Sequence, residues 1–164
     1  MTLQNIVESK AKIRFQDCDP FNHLNNGKYI DYFVNHREDQ LIKHYDIDIY
    51  EMAKTQGKSW VTGSNQIAYL KPALLMETVA IESQLIHYDN TSLRVEMRMY
   101  DEHKSHLKSI IWCTFVHFNL MKQKREQHTE DLMHLFSTIQ LPVSSSIFEH
   151  RLHEIRQYEK SKAI

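Results

Sequence analysis

The chain has 164 residues, with 20 Lys and Arg against 21 Asp and Glu and a formal charge of -1. That length fits one domain around one core, and the balanced charge leaves no basic field to hold nucleic acid or anionic lipid by counterion release. Only three glycines occur, Gly27, Gly57 and Gly63, so neither a G-x-G-x-x-G fingerprint nor a Walker loop can be written and Gly-rich phosphate cradles are excluded.

Two cysteines, Cys18 and Cys113, form no C-x-x-C or zinc spacing and are expected to be free thiols in a reducing cytoplasm. The first fifteen residues contain no apolar signal core. No stretch approaches the roughly 18 continuous apolar residues of a membrane span, so a cytoplasmic protein without a membrane partner is expected. His103 with His106, and His150 with His153, are the nearest histidine pairs. Neither has a third ligand nearby, and no metal or cofactor is expected.

In chain order, Ala11, Ile13 and Phe15 alternate with Lys12, Arg14 and Gln16, the period-two pattern of a half-buried strand over 11–16. Pro20 then biases Asp19 toward extended backbone, so a loop begins at Asp17. Beyond Asn26 the period changes: Tyr29, Ile30, Phe33, Val34, Leu41 and Tyr45 recur at helical spacings. A helix over about 26–45 is expected, with Asn25 or Asn26 as its cap.

Residues 46–58 read as irregular or a short helix, and strands follow at 59–70, 78–88, 92–101 and 108–120. In the third of these, Leu93, Val95, Met97 and Met99 oppose Arg94, Glu96 and Arg98, which predicts one wet face. The fourth is apolar on both faces, which suits a central strand covered on both sides and, as an apolar surface that a second copy could cover, argues for a dimer or tetramer. A short helix over 129–137 and a charged amphipathic helix over 147–162, packed on its own domain, complete the chain. One strand, one long helix and four strands joined by short turns make an α+β arrangement, an antiparallel sheet curled around the helix.

The segment Arg14 to Phe33 concentrates the chemistry. Two carboxylates, a histidine and two amides lie on a loop that enters the N-terminus of the longest helix. Such a terminus carries unpaired N–H groups and about half a positive charge, suited to a developing oxyanion, and a carboxylate beside it can activate water or attack a carbonyl. By local composition alone, Asp17 and Asp19 can equally be turn residues and Asn25 and Asn26 caps.

Asp17-Cys18-Asp19-Pro20, followed by His23-Leu24-Asn25-Asn26-Gly27-Lys28-Tyr29, resembles the D-x-D-x-x-G-H-V-N-N-x-x-Y signature of the hotdog-fold 4-hydroxybenzoyl-CoA and long-chain acyl-CoA thioesterases. Downstream, Tyr69-Leu70-Lys71-Pro72-Ala73 is similar to that family's Y-x-x-P-A segment, and Leu141-Pro142 to its closing I-P. The resemblance spans residues 11–142, so a hotdog domain over 1–142 and a helical tail over 143–164 are expected. It implies hydrolysis of an acyl-CoA thioester, with Asp19 as catalytic general base or nucleophile and Asp17 structural. It further implies that His23, Asn25, Asn26, Gly27 and Lys28 line the substrate site, with backbone amides near Gly27 and Lys28 meeting the thioester oxygen, and that the protein is a homodimer or homotetramer.

Asn22 stands where the family has Gly and is expected to adopt, or to strain against, a left-handed conformation. Lys58, Lys71, Arg94, Arg98, Lys104 and Lys108 are candidate cations for the CoA phosphates. The same fold hosts acyl-carrier-protein thioesterases, dehydratases and non-catalytic acyl-CoA-binding modules. A dehydratase would leave the D-x-D loop idle.

Overall fold

The computed structural model describes residues 2–163. In chain order its elements are β1 (Ile6–Lys12), a 3-10 turn (Phe15–Asp17), a second 3-10 turn (Asn26–Lys28), α1 (Tyr29–Tyr45), α2 (Ile49–Gln56), β2 (Lys58–Tyr69), β3 (Thr78–Tyr88), β4 (Ser92–Asp101), β5 (Leu107–Asn119), β6 (Lys124–Arg125), α3 (Glu130–Ile139) and α4 (Phe148–Ser161). Every strand pair is antiparallel, in the order β1-β3-β4-β5-β2 with β6 beside β5. This is the hotdog arrangement, an α+β fold in which a curled antiparallel sheet encloses α1.

The inner face of the sheet and the apolar stripe of α1 share one core. Tyr29 and Phe33 of α1 pack against Val7, Ile81, Met97 and Ile111, all essentially without solvent contact. Burying a side chain such as Phe33 contributes about 1.5–3 kcal/mol. The helix starts where the Asn25 side chain accepts from the Gly27 amide at 2.9 Å. It stops at Asp46, whose left-handed backbone, φ 56°, turns its N–H back to Leu41 O.

Three expectations change. The first strand ends at Lys12 rather than 16, because Ile13 N–H and C=O bond the 76–77 turn and Phe15 enters a 3-10 turn, where its ring is 79 % exposed. The second face of β4 is dry. Glu96 is fully buried and Arg98 is 6 % exposed, because α4 lies across the outer face of the sheet. Arg151 of α4 grips Glu96 with Nε at 2.9 Å and Nη2 at 2.8 Å, and Trp112 Nε1 donates to the same carboxylate at 2.8 Å. Arg98 bridges Glu96 and Glu82, reaching the latter at 2.9 Å, and donates to Gln84 at 2.9 Å.

The third change concerns assembly. The outer apolar face of β5 is covered by this chain's own tail, Phe148 meeting the Trp112 ring edge-on at 5.5 Å with Leu152 and Ile155 alongside. That face therefore supplies no argument for a dimer.

Candidate active site

The loop between β1 and α1 is built from backbone bonds to a second segment, residues 73–77. Leu24 N–H donates to Ala73 O at 2.8 Å and Leu75 N–H to Asn22 O at 2.9 Å, while His23 forms a bridge with Leu74. Tyr29 and Tyr69 complete the junction. The Ala73 N–H donates to the Tyr29 hydroxyl at 3.1 Å, the Tyr69 hydroxyl donates to Asn26 O at 3.0 Å, and the two rings meet edge-on at 5.0 Å. The D-x-D loop and the Tyr69–Ala73 segment, more than forty residues apart, thus form one structural unit. Leu141 closes against β3 instead, its N–H on Leu85 O at 2.9 Å. Asn22 takes a left-handed backbone at φ 60°, a conformation Asn tolerates better than most residues.

The two aspartates of the loop are held differently. Asp17 Oδ2 accepts from the Tyr32 hydroxyl at 2.8 Å, and its carbonyl accepts from Asn25 N–H at 2.9 Å. Burial, together with the bond to Asp17, pushes the Tyr32 phenol up to about 12, so it remains a donor. Asp19 uses one oxygen as an anchor: Oδ1 accepts from Phe21 N–H at 2.8 Å and His23 N–H at 3.1 Å. Its Oδ2 has no hydrogen-bond partner among the described residues, and the side chain is half-buried. Burial and the flanking Asp17 and Asp19 charges push the Cys18 thiol up, which disfavours a thiolate nucleophile there.

The remaining loop residues divide. The half-buried His23 meets Asp19 through its backbone, its ring lying 6.5 Å from that of Phe21. Asn25, Asn26, Gly27 and Lys28 are exposed. The Gly27 amide is engaged by Asn25 Oδ1 and the Lys28 amide by Asn25 O at 2.8 Å, so Asn25 is the cap that occupies the first donors of the helix. Lys28 Nζ reaches Asp31 at 3.3 Å. Around the loop, Phe15, Phe21, Leu74 and Met76 are exposed apolar side chains.

Of the candidate cations, Arg98, Lys104, Lys108 and Lys58 carry carboxylate partners. Lys71 and Arg94 have none among the described residues, and Arg94 lies 5.6 Å from the Trp112 ring.

Sequence reasoning missed a second feature. A partly open apolar cavity of about 120 Å³ lies between α1 and the inner face of the sheet, walled by Val34, Leu41, Leu85, Val95 and Phe115, with Arg37 on its lining. No residue of the D-x-D loop lines it. Arg37 is 6 % exposed, has no carboxylate within ion-pair distance among the described residues, and donates from Nη1 to Ser83 Oγ at 2.9 Å. Burial pushes its pKa down, yet a guanidinium stays charged at neutral pH. The visible signal was positional: Arg37 follows Phe33 by one helical turn on the apolar stripe.

Residues 13–136 match the family model described as the thioesterase-like superfamily. The long-chain acyl-CoA thioesterase FadM of Escherichia coli (strain K12) is 25 % identical over 118 residues, covering 72 % of this chain and 87 % of FadM. Among solved structures, DHNA-CoA thioesterase from Staphylococcus aureus superposes with a TM-score of 0.75 at 16 % identity, over 82 % of this chain and 90 % of that one. The Staphylococcus aureus protein SAV2348, solved in complex with CoA, does so at 0.74 and 15 % identity, over 88 % and 91 %. With the family model covering three quarters of the sequence and the fold agreeing, the chain belongs to the thioesterase-like superfamily of hotdog-fold thioester hydrolases.

Proposed function

We propose that this thioester hydrolase acts on acyl-CoA, with Asp19 as its catalytic carboxylate. The observation that carries the assignment is the asymmetry of Asp19: two backbone amides fix Oδ1, leaving Oδ2 to work at the head of α1. As a general base, Oδ2 takes a proton from water while the water oxygen bonds to the thioester carbon. The tetrahedral oxyanion then collapses, the carbon–sulfur bond breaks, and the CoA thiolate leaves and recovers the proton. As a nucleophile, Oδ2 bonds to that carbon, expels the thiolate and forms an anhydride that water hydrolyses. Trapping with hydroxylamine separates the two routes.

Backbone donors at the start of α1 would meet the oxyanion. The Gly27 N–H becomes such a donor once the Asn25 side chain turns away, and His23, Asn26 and Lys28 would flank the thioester. Lys71, exposed beside Pro72 in the segment that braces the loop, is the cation best situated for the CoA phosphates. The CoA complex of SAV2348 and the acyl-CoA activity in the name of FadM support this substrate class over an acyl carrier protein.

A homodimer or homotetramer completes the reading. Phe15, Phe21, Leu74 and Met76 are exposed around the loop, and β2 ends the strand order with residues 61–66 exposed; a second copy would cover both features. No helix among the described residues is long and apolar enough to cross a membrane, and both cysteines are free, which supports a reducing, cytoplasmic setting. The test is thiol release from short, long and aromatic acyl-CoAs, with Asp19→Asn as control. Thioester hydrolysis that persists in Asp19→Asn refutes the residue assignment, and binding of acyl-CoA without any cleavage would make the protein a non-catalytic module.

A further inference from the structure

The Arg37 guanidinium is the group the proposed chemistry leaves unexplained. It sits on α1 two turns beyond Tyr29, about 12 Å along the helix axis at 1.5 Å per residue, on the lining of the α1–sheet cavity. A charge withdrawn from water destabilises the fold unless it is paired, and here the pairing is incomplete. The groups around it are neutral: Ser83 Oγ accepts one bond, and the Tyr45 ring centroid lies 5.9 Å away.

A polar relay holds the guanidinium in place. Ser83 donates onward to Gln40, Gln40 Nε2 donates to Ser9 Oγ and to Ile81 O, each at 3.0 Å, and Ser9 Oγ meets His36 Nδ1 at 2.9 Å. Burial pushes the His36 imidazole pKa down, favouring its neutral form, and Ser83, Gln40 and Ser9 are neutral, so the relay supplies no carboxylate to balance the guanidinium. The one carboxylate on the cavity lining is Glu38, half-buried, and it accepts from the exposed Tyr50 hydroxyl at 2.8 Å. The relay thus orients Arg37 without neutralising it, inside walls that are otherwise almost entirely apolar.

We propose that this cavity receives the acyl group of the substrate and that Arg37 selects chains with a carboxylate at their far end, making it the specificity-determining residue. The inference rests on the acyl-CoA hydrolase reading. A planar, two-pronged donor on the lining of an apolar cavity matches a carboxylate bidentately, and the aliphatic and aromatic walls accept the methylenes between that carboxylate and the thioester. An unsubstituted chain would fill the same cavity and leave the guanidinium unpaired, and sites built around a buried polar partner discriminate strongly against ligands that lack it.

The experiment compares kcat/KM for ω-carboxyacyl-CoAs with unsubstituted acyl-CoAs of equal length. The wild-type protein should favour the carboxylated series by about 10²-fold. Arg37→Met, close in volume but uncharged, should collapse that ratio, and Arg37→Lys, which keeps a point charge without the fork, should give an intermediate one. A wild-type preference for unsubstituted chains, or a ratio unchanged in Arg37→Met, overturns the inference.

A second arm needs neither turnover nor a variant. Calorimetry on the wild-type protein compares the monomethyl ester of hexanedioic acid, which keeps one carboxylate, with its dimethyl ester, which has none. Tighter binding of the monoester is expected, and equal binding overturns the pocket assignment. Preferential monoester binding by a protein that cleaves no acyl-CoA would retain the anion-binding pocket and reject the hydrolase reading, whereas thioester cleavage without either preference would do the reverse.

Discussion

The two faces of the sheet each bury an arginine, and they treat it in opposite ways. On the outer face Arg98 meets Glu82, Glu96 and Gln84, and Arg151 arrives from α4 to complete the Glu96 carboxylate. On the inner face Arg37 has one hydroxyl acceptor and an apolar cavity. A fully paired buried charge acts as a structural staple, whereas a charge held in place but left unpaired leaves its attraction for a ligand. The two aspartates of the D-x-D loop repeat the contrast on a smaller scale, Asp17 bonded through both side chain and backbone, Asp19 with one oxygen unpaired.

The largest expected break in that contrast is catalytic. Asp19→Asn should lower kcat/KM for thioester hydrolysis by at least about 10²-fold while thermal unfolding stays near wild type, because the amide keeps an acceptor for the Phe21 and His23 amides but loses the charge. Asp17→Asn should cost far less activity, and its effect should show in stability through the Tyr32 bond. Equal losses of activity in the two variants would erase the distinction between them.

On the outer face, Glu96→Ala should destabilise the fold by about 3–5 kcal/mol in urea denaturation, since it leaves Arg98, Arg151 and the Trp112 N–H around an empty site. Arg37→Met on the inner face should be close to neutral, because removing an unpaired charge relieves its desolvation. Similar losses in both would mean that the two arginines are equally structural. Burial would raise the Glu96 pKa, but the Arg151 hydrogen bonds and the Arg98 charge outweigh it and hold the carboxyl below its ordinary range. A depressed folded-state pKa contributes stability above the ordinary value of about 4.3 and loses it as pH falls through the folded value. Acid unfolding should therefore shift to higher pH in Glu96→Ala.

Smaller effects refine the picture. Asn25→Ala should cost about 1 kcal/mol by releasing the first donors of α1, read from the shift in unfolding midpoint. The smallest is a pH slope. Burial pushes His117 and His128 down, so the unfolded chain binds protons that the folded chain refuses, and stability should fall as pH drops below about 6.5. His117→Gln should flatten that slope between pH 7 and pH 5.

Local periodicity located most of this architecture. The runs 78–88 and 92–101 coincide with β3 and β4, and the change of period at Asn26 marks the 3-10 turn that leads into α1, because strand and helix patterns depend on neighbours within a few residues. The motif brought the D-x-D loop into view for the same reason: its Asx turn and cap are made by residues two to four positions apart.

Long-range pairing decided the rest. The Arg94-Glu96-Arg98 alternation reads as a wet face until Arg151, fifty-five residues beyond Glu96, lies across it. The apolar outer side of β5 reads as an interface until Phe148 covers it. Arg37 looks like one more helix charge until the sheet closes over it and places Ser83, rather than a carboxylate, at its tip. Hydrophobic period is a property of the local chain and can be read from its letters, but whether a charge is matched depends on what folding brings within a few ångströms, and only the tertiary structure supplies that.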